Sequence, residues 1–498
     1  MIFNSYTFVL FFALVLLLHN LPLGWKTKKT NLLLASYIFY AAWNPPFILL
    51  LWLSTVVDFF VGKALYHQTN QRKRRALLLV SLAGNLGMLF FFKYGSFLLE
   101  NFTLLVNALG MDYHPAKPNI ILPAGISFYT FTTLCYTIDM YKRHTRPVSN
   151  LLDFSLFVTF FPHLVAGPIV RPEQLVPQFS SPRKATGEQL RQGLYLLSLG
   201  LFLKVVLADA LLAGTANTVF GFAGTLASAD AWAGLLAFSG QIFFDFAGYS
   251  TCAIGAAMCL GFWLPDNFRA PYAAIGFSDF WKRWHITLSS WLRDYLYIPL
   301  GGNRGTATRT YINLMLTMLL GGLWHGASWT FVVWGALHGA YLCIERLFTS
   351  RPESPPALRT GSTQVLRPAP VAMQAVVFPL PRLGTASKRI AKMLLTFFLV
   401  NIAWVFFRAT DFRSAWRMLV SLFGFQKEPA AVLPSLDLYL VGVITILLLI
   451  AHWRLRNSSN LEWASHLSWW KLALVWSFML IALVLSQKSG GSFIYFQF

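Results

Sequence analysis

The chain has 498 residues, of which 56% are apolar, 16% aromatic and only 12% charged. Soluble domains carry about 25% charged residues, so a soluble enzyme is excluded. Repeated apolar runs of roughly 18 residues, enough to cross bilayer hydrocarbon, make the expected fold an all-α polytopic membrane protein. The formal charge of +21 does not point to nucleic acid, because the 40 Lys and Arg fall mostly in short loops between apolar runs. There they set orientation in the bilayer.

In chain order, residues 5–22 form the first expected span. Lys26, Lys28 and Lys29 follow it and no basic flank precedes it, so a retained helix with its N-terminus outside is expected. Residues 31–43 and 47–66 turn at Pro45-Pro46. Arg72, Lys73, Arg74 and Arg75 bring the chain back to the cytoplasm, and residues 76–97 cross outward. Lys93, near the far end, is placed to snorkel toward headgroups. The loop 98–120, with Glu100 and Asp112 against Lys117, is the least basic of the early loops and is expected outside, before 121–141 return to Lys142, Arg143 and Arg146.

The run 151–170 has basic residues at both ends and contains FFPHLVAGPIVRP. A full crossing would strand one basic cluster outside. A re-entrant segment is therefore expected, since Pro and Gly free backbone groups that only a protein-lined cavity satisfies. Residues 192–214 lead to the loop 215–230 and then to 231–262, where Asp245 lies inside an apolar run. Spans at 329–348, 390–407, 434–452 and 467–486 complete a single integral-membrane domain over 1–498. Residues 350–388, rich in proline and basic residues, read as a flexible cytoplasmic insertion within it. Cys135, Cys252, Cys259 and Cys343 show no C-x-x-C spacing and read as buried free thiols.

Residues 278–329 stand apart, basic and rich in tryptophan, with His285 and His325 each directly preceded by a tryptophan. As one helix, with Ser278 as N-cap and Pro299 ending it, the first part puts Trp281, Trp284, His285, Leu288, Trp291, Leu292 and Tyr295 on one face. Such a helix would lie at the cytoplasmic interface, where His285 needs only a hydrogen-bond partner. His325, in GGLWHGASW, sits where two apolar runs meet. An ionisable group at membrane depth is a functional hypothesis by default, against the plainer reading of a histidine capping a broken helix. Imidazole is also the side chain best suited to take a hydroxyl proton near neutral pH. His163 and His338 read as satisfied core histidines, and the scattered histidines have no metal-site spacing.

WKRWHITLSSWLRDYLYIPLGGNRG with GGLWHGASWTFVVWGALHG resembles the membrane-bound O-acyltransferase (MBOAT) family, and within it the bacterial branch that serves alginate O-acetylation. MIFNSYTF, FFKYGSF, ILPAGISFYTF, FFPHLVAGPIVRP, DFAGYS and FIYFQF extend the likeness over nearly the whole chain. The resemblance implies an MBOAT-like helical bundle with re-entrant segments and an acyl-transfer tunnel. It also implies His325 as the catalytic residue and His285 as a second essential group. Asp245 carries over as a structural or tunnel-lining residue, whereas Thr251 stands where the branch has a second aspartate.

Acyl transfer from a thioester needs a base and oxyanion donors. His325 supplies the base, or an acyl-histidine forms directly. Trp324, a backbone N–H near Gly326, or His285 supplies the donor. Lys282, Arg283, Arg293 and Arg304 would attract the phosphates of acetyl-CoA, although each also fits ordinary positive-inside anchoring. No permanently bound cofactor is expected. The implied function is acetyl transfer across the bacterial inner membrane for O-acetylation of an exported polysaccharide such as alginate or cellulose. A periplasmic or membrane-anchored acetyltransferase partner is expected to complete the transfer. The alternatives are D-alanyl transfer to cell-envelope polymers and a non-enzymatic transporter. On the enzymatic reading, His325 must be reachable from both faces of the bilayer.

Overall fold

The computed structural model describes residues 1–116, 118–348, 383–425 and 427–486. Among them every regular element is helical, and the one β-bridge joins Leu226 to Ala430. Helices α1 (Tyr6–Asn20), α2 (Trp25–Ala41), α3 (Ile48–His67), α4 (Gln71–Leu89), α5 (Gly95–Ala108) and α6 (Ile126–Lys142) open the chain. Short helices α7 (Leu151–Thr159), α8 (Phe161–Leu164) and α9 (Pro172–Leu175) follow, then α10 (Gly187–Leu201), α11 (Ala213–Gly221) and the long α12 (Ser228–Cys259). The central stretch gives α13 (Phe277–Trp281), α14 (Ile286–Leu292), α15 (Ala307–His325) and α16 (Trp329–Phe348). The chain closes with α17 (Leu383–Arg408), α18 (Phe412–Leu422), α19 (Ser435–Arg454), α20 (Asn460–Ser465) and α21 (Trp469–Leu485).

Seven of the described helices are long and apolar enough to cross a bilayer, so the chain is a multi-pass membrane protein. Almost wholly buried, α12 packs against α8, α10, α11, α17, α18 and α19. It comes close to α10 because Gly248 faces Gly200, where an added Cβ on either would run into the other's main chain. Small residues of this kind set helix approach in a bilayer, where lipid is as apolar as the side chains. Within α12, Asp245 pairs with Lys204, which also holds Asp209 at 2.9 Å. That ion cluster ties α12 to the π-helical segment Phe202–Leu212.

The region expected to be re-entrant is broken as the proline and glycine predict. At nine residues α7 is about 14 Å long by helical rise, too short to cross. His163, behind it, donates from Nε2–H to the Phe157 carbonyl, 3.1 Å away, and is buried there as a structural residue.

Two sequence expectations are corrected. The loop 98–120 is not loop throughout, because α4 continues through a π turn at Phe90–Tyr94 into α5, making one 38-residue helix from Gln71 to Ala108. The apolar residues between Phe97 and Ala108 outweigh the isolated Glu100 that marked a loop. The continuous helix expected from Ser278 to Pro299 is instead divided. Its α13 part is capped by Glu345, whose Oε2 accepts from the Phe277 and Ser278 N–H groups at 2.7 and 2.9 Å. Of the insertion expected at 350–388, residues 350–382 lie outside the described residues, and 383–388 already belong to α17.

Candidate active site

His325 is the last residue of α15, and α16 starts again at Trp329 after a short turn. The glycines of this segment are needed for space. Gly322 faces Gly335 across the α15–α16 contact, and a Cβ on Gly326 would strike the Phe331 ring. This tight hairpin presses the His325 imidazole between the rings of Trp324, Trp334 and Phe407, at centroid separations of 4.9, 5.0 and 5.4 Å.

His285 sits where α13 and α14 part. Its φ of +42° is in the left-handed region, which a side chain with a Cβ occupies only when its surroundings hold it there. Those surroundings are the extended strand of chain before α13. Arg269 N–H donates to the Arg283 carbonyl at 2.9 Å, and Ile286 N–H donates to the Asn267 carbonyl at 2.8 Å. These long-range bonds replace the helical ladder and divide the side chains between two cores. Phe280 and Trp284 join one, while Leu288, Trp291 and Leu292 join the other.

Asn267 fixes the imidazole. Its Oδ1 lies 3.1 Å from His285 Nδ1 and accepts from the Thr287 hydroxyl at 2.9 Å and the Thr287 N–H at 3.3 Å. Asn267 Nδ2 donates to Ser250 at 3.1 Å. A backbone N–H can only donate, so the amide atom facing Thr287 is the oxygen, and the neutral imidazole carries its proton on Nδ1. Nε2 is then a lone-pair acceptor, and it is buried without a hydrogen bond to the described protein. Of the three candidate oxyanion donors, His285 is therefore corrected: in this tautomer its second nitrogen accepts.

Trp324 joins the two histidines, with its ring 6.1 Å from His285 and 4.9 Å from His325. It stacks on Phe131 at 5.3 Å, and Phe131 stacks on Trp291 at 3.9 Å and 4°. Its Nε1–H is buried and makes no hydrogen bond to the described protein.

The remaining candidates differ in their surroundings. Arg283 is not available to a phosphate: it bonds Asp279 at 2.8 Å and the Arg456 carbonyl at 2.7 Å, only 12% exposed. Lys282 and Arg304 are exposed, and Arg293 is exposed but paired with Asp294 at 2.7 Å. Asp245 faces Lys204 rather than the histidines, so of its two expected roles the structural one fits. His338 was read as a satisfied core histidine, yet it is fully buried and neither ring nitrogen bonds the described protein. It packs 4.7 Å from Trp334, one indole away from His325.

Lys93 does not snorkel. The π turn directs it inward, where Nζ donates to the Trp324 and His325 carbonyls at 2.7 and 2.9 Å. Tyr94 beside it donates to the Leu323 carbonyl at 2.9 Å. The expected open corridor is not seen in this conformation. Among the described residues, His285 and His325 are 0% and 3% exposed. Packed aromatic rings surround the pair in this conformation.

Asn267, Lys93 and Tyr94 escaped the sequence reading. FFKYGSF was noted as part of the likeness, but nothing local marked its lysine as facing inward.

The family model described as "MBOAT, membrane-bound O-acyltransferase family" matches residues 98–368. A probable alginate O-acetylase AlgI of Pseudomonas aeruginosa is 39% identical over 426 residues, covering 85% of this chain and 75% of that protein. A peptidoglycan O-acetyltransferase of Helicobacter pylori is 35% identical, covering 94% and 91%. A teichoic acid D-alanyltransferase of Bacillus subtilis is a more distant likeness, 28% identical over 47% of this chain and 62% of its own length.

Proposed function

The chain belongs to the membrane-bound O-acyltransferase family and is an O-acyltransferase, and we propose that it moves an acetyl group from cytoplasmic acetyl-CoA across the bacterial inner membrane. The end of that transfer is O-acetylation of an exported polysaccharide, with alginate favoured by the relatives named above. The observation that carries this reading is the pair of histidines bridged by one indole, with His285 Nε2 and Trp324 Nε1 both buried and without a hydrogen bond among the described residues.

Each group then has one task. His325 takes the proton of the attacking hydroxyl as its oxygen bonds the thioester carbon. Trp324 Nε1–H stabilises the oxyanion that forms. When the intermediate collapses, the C–S bond breaks and the proton passes to the departing thiolate. The lone pair of His285 Nε2 accepts from the amide N–H of the donor's pantetheine arm and holds the thioester in place. Closely packed rings keep water from the acyl group. Lys282, Arg293 and Arg304 meet the donor's phosphates, and Arg283 is left to hold the fold.

The hydroxyl belongs to the polysaccharide or to a periplasmic or membrane-anchored acetyltransferase that passes the group on. D-alanyl transfer is the less favoured reading, since that likeness covers under half of the chain. Membranes containing the protein are expected to consume radiolabelled acetyl-CoA in the presence of acceptor and to leave a D-alanyl-loaded carrier protein untouched. The opposite pattern would replace acetyl by alanyl transfer, and consumption of neither would point to transport without chemistry.

A further inference from the structure

A helix ends with carbonyls that its own ladder cannot satisfy. Inside a bilayer no water is at hand to replace the missing donors, so protein must provide them. At the end of α15 they come from another helix. Lys93 Nζ donates to the carbonyls of Trp324 and His325, at 2.7 and 2.9 Å, and Tyr94 donates to that of Leu323, at 2.9 Å. Three successive carbonyls, including those of His325 and of the Trp324 that bridges it to His285, are thus held by one side-chain pair. The ammonium also lies over the Trp324 ring, 5.7 Å from its centroid.

The chain makes an unusual arrangement for this contact. A π turn at Phe90–Tyr94 interrupts an otherwise α-helical run, and such turns re-aim the side chains that follow. Among the described residues Lys93 has no carboxylate partner, and the acceptors its Nζ meets are main-chain carbonyls at the negative end of α15. A buried lysine is expensive in an apolar setting, and an apolar residue would fill the space at lower cost. Lysine brings three donors, and two of them are spent on the main chain that carries Trp324 and His325.

We propose that Lys93, aided by Tyr94, is a positioning residue for acyl transfer, fixing the main chain from which Trp324 and His325 reach the reacting atoms. This rests on the acyltransfer reading above. Displacing an active-site group by about an ångström costs about a hundredfold in rate. K93M is therefore expected to lower kcat per folded molecule by about that factor, with KM for acetyl-CoA changed by no more than about threefold. K93R, which keeps the charge and the donors, is expected to recover part of the loss, and Y94F, which removes one bond, to lose several-fold in kcat.

Hydrogen exchange provides a readout without activity: backbone amides at 323–328 are expected to exchange faster in K93M than in the unaltered protein. A folded K93M with unchanged kcat, or unchanged exchange at 323–328, would overturn the proposal. The same holds if K93M loses only abundance, with kcat per folded molecule intact. If K93M does not fold, an unchanged kcat in Y94F overturns it. An unaltered protein that consumes no acyl donor would refute acyl transfer instead, and the exchange measurement would still decide whether the tether exists.

Discussion

At the scale of single residues, the tautomer of His285 depends on an asparagine 18 positions away. Asn267 Oδ1 receives Nδ1–H and two donors from Thr287, so the amide cannot flip without breaking several bonds, and the fixed oxygen holds the imidazole proton on Nδ1. N267A is expected to keep the protein in the membrane but lower kcat by about tenfold to a hundredfold, because His285 loses its set orientation. Steady-state acetyl transfer normalised to folded protein checks it, and an unaltered rate would detach Asn267 from the chemistry. Of these residues the sequence exposed the histidines and not their supports. Tryptophan–histidine pairs in a basic or glycine-rich setting are local patterns. The bonds from Asn267 and Lys93 span 18 and 231 positions, so no local pattern could reveal them.

At the scale of elements, helical periodicity identified most spans because apolar runs of that length have few other solutions in a membrane. It failed from Ser278 to Pro299. Local propensity favours a continuous helix there, but the Asn267 and Arg283 carbonyls accept from distant N–H groups and hold His285 at φ +42°. The break is braced by Asp279, which bonds Arg283 at 2.8 Å and Arg456 at 2.5 Å. Burial pushes the Asp279 carboxyl up, but the Ile275 N–H, Arg456 and Arg283 together hold it below its ordinary value. A carboxyl with a lowered folded-state pKa stabilises the fold above its unfolded pKa, near 3.9, and loses that contribution as pH falls through the lower folded value. The purified protein is therefore expected to unfold more readily as pH drops from about 5 toward 3. D279N should be less stable at pH 7 and show a shallower acid dependence in thermal unfolding. Equal acid dependence in both proteins would remove Asp279 from the brace.

At the scale of the whole molecule, the helical, multi-pass architecture was legible because composition alone leaves few alternatives to helices in a membrane. The state of the path to His325 was not legible. Apolar, aromatic sequence is equally compatible with a lined tunnel and with closed packing, and in this conformation Trp324, Trp334 and Phe407 pack around the imidazole. On the proposed reaction, a thioester and a hydroxyl would reach the imidazole only with these rings displaced. The claim that joins all three scales is that His325 carries the acyl chemistry. It is tested most directly by supplying labelled acetyl-CoA to cells or membranes containing either the unaltered protein or H325A, at equal abundance, with the acceptor system present. The account predicts labelled O-acetyl groups on the exported polymer with the former and none above background with the latter. Equal labelling by H325A would contradict it.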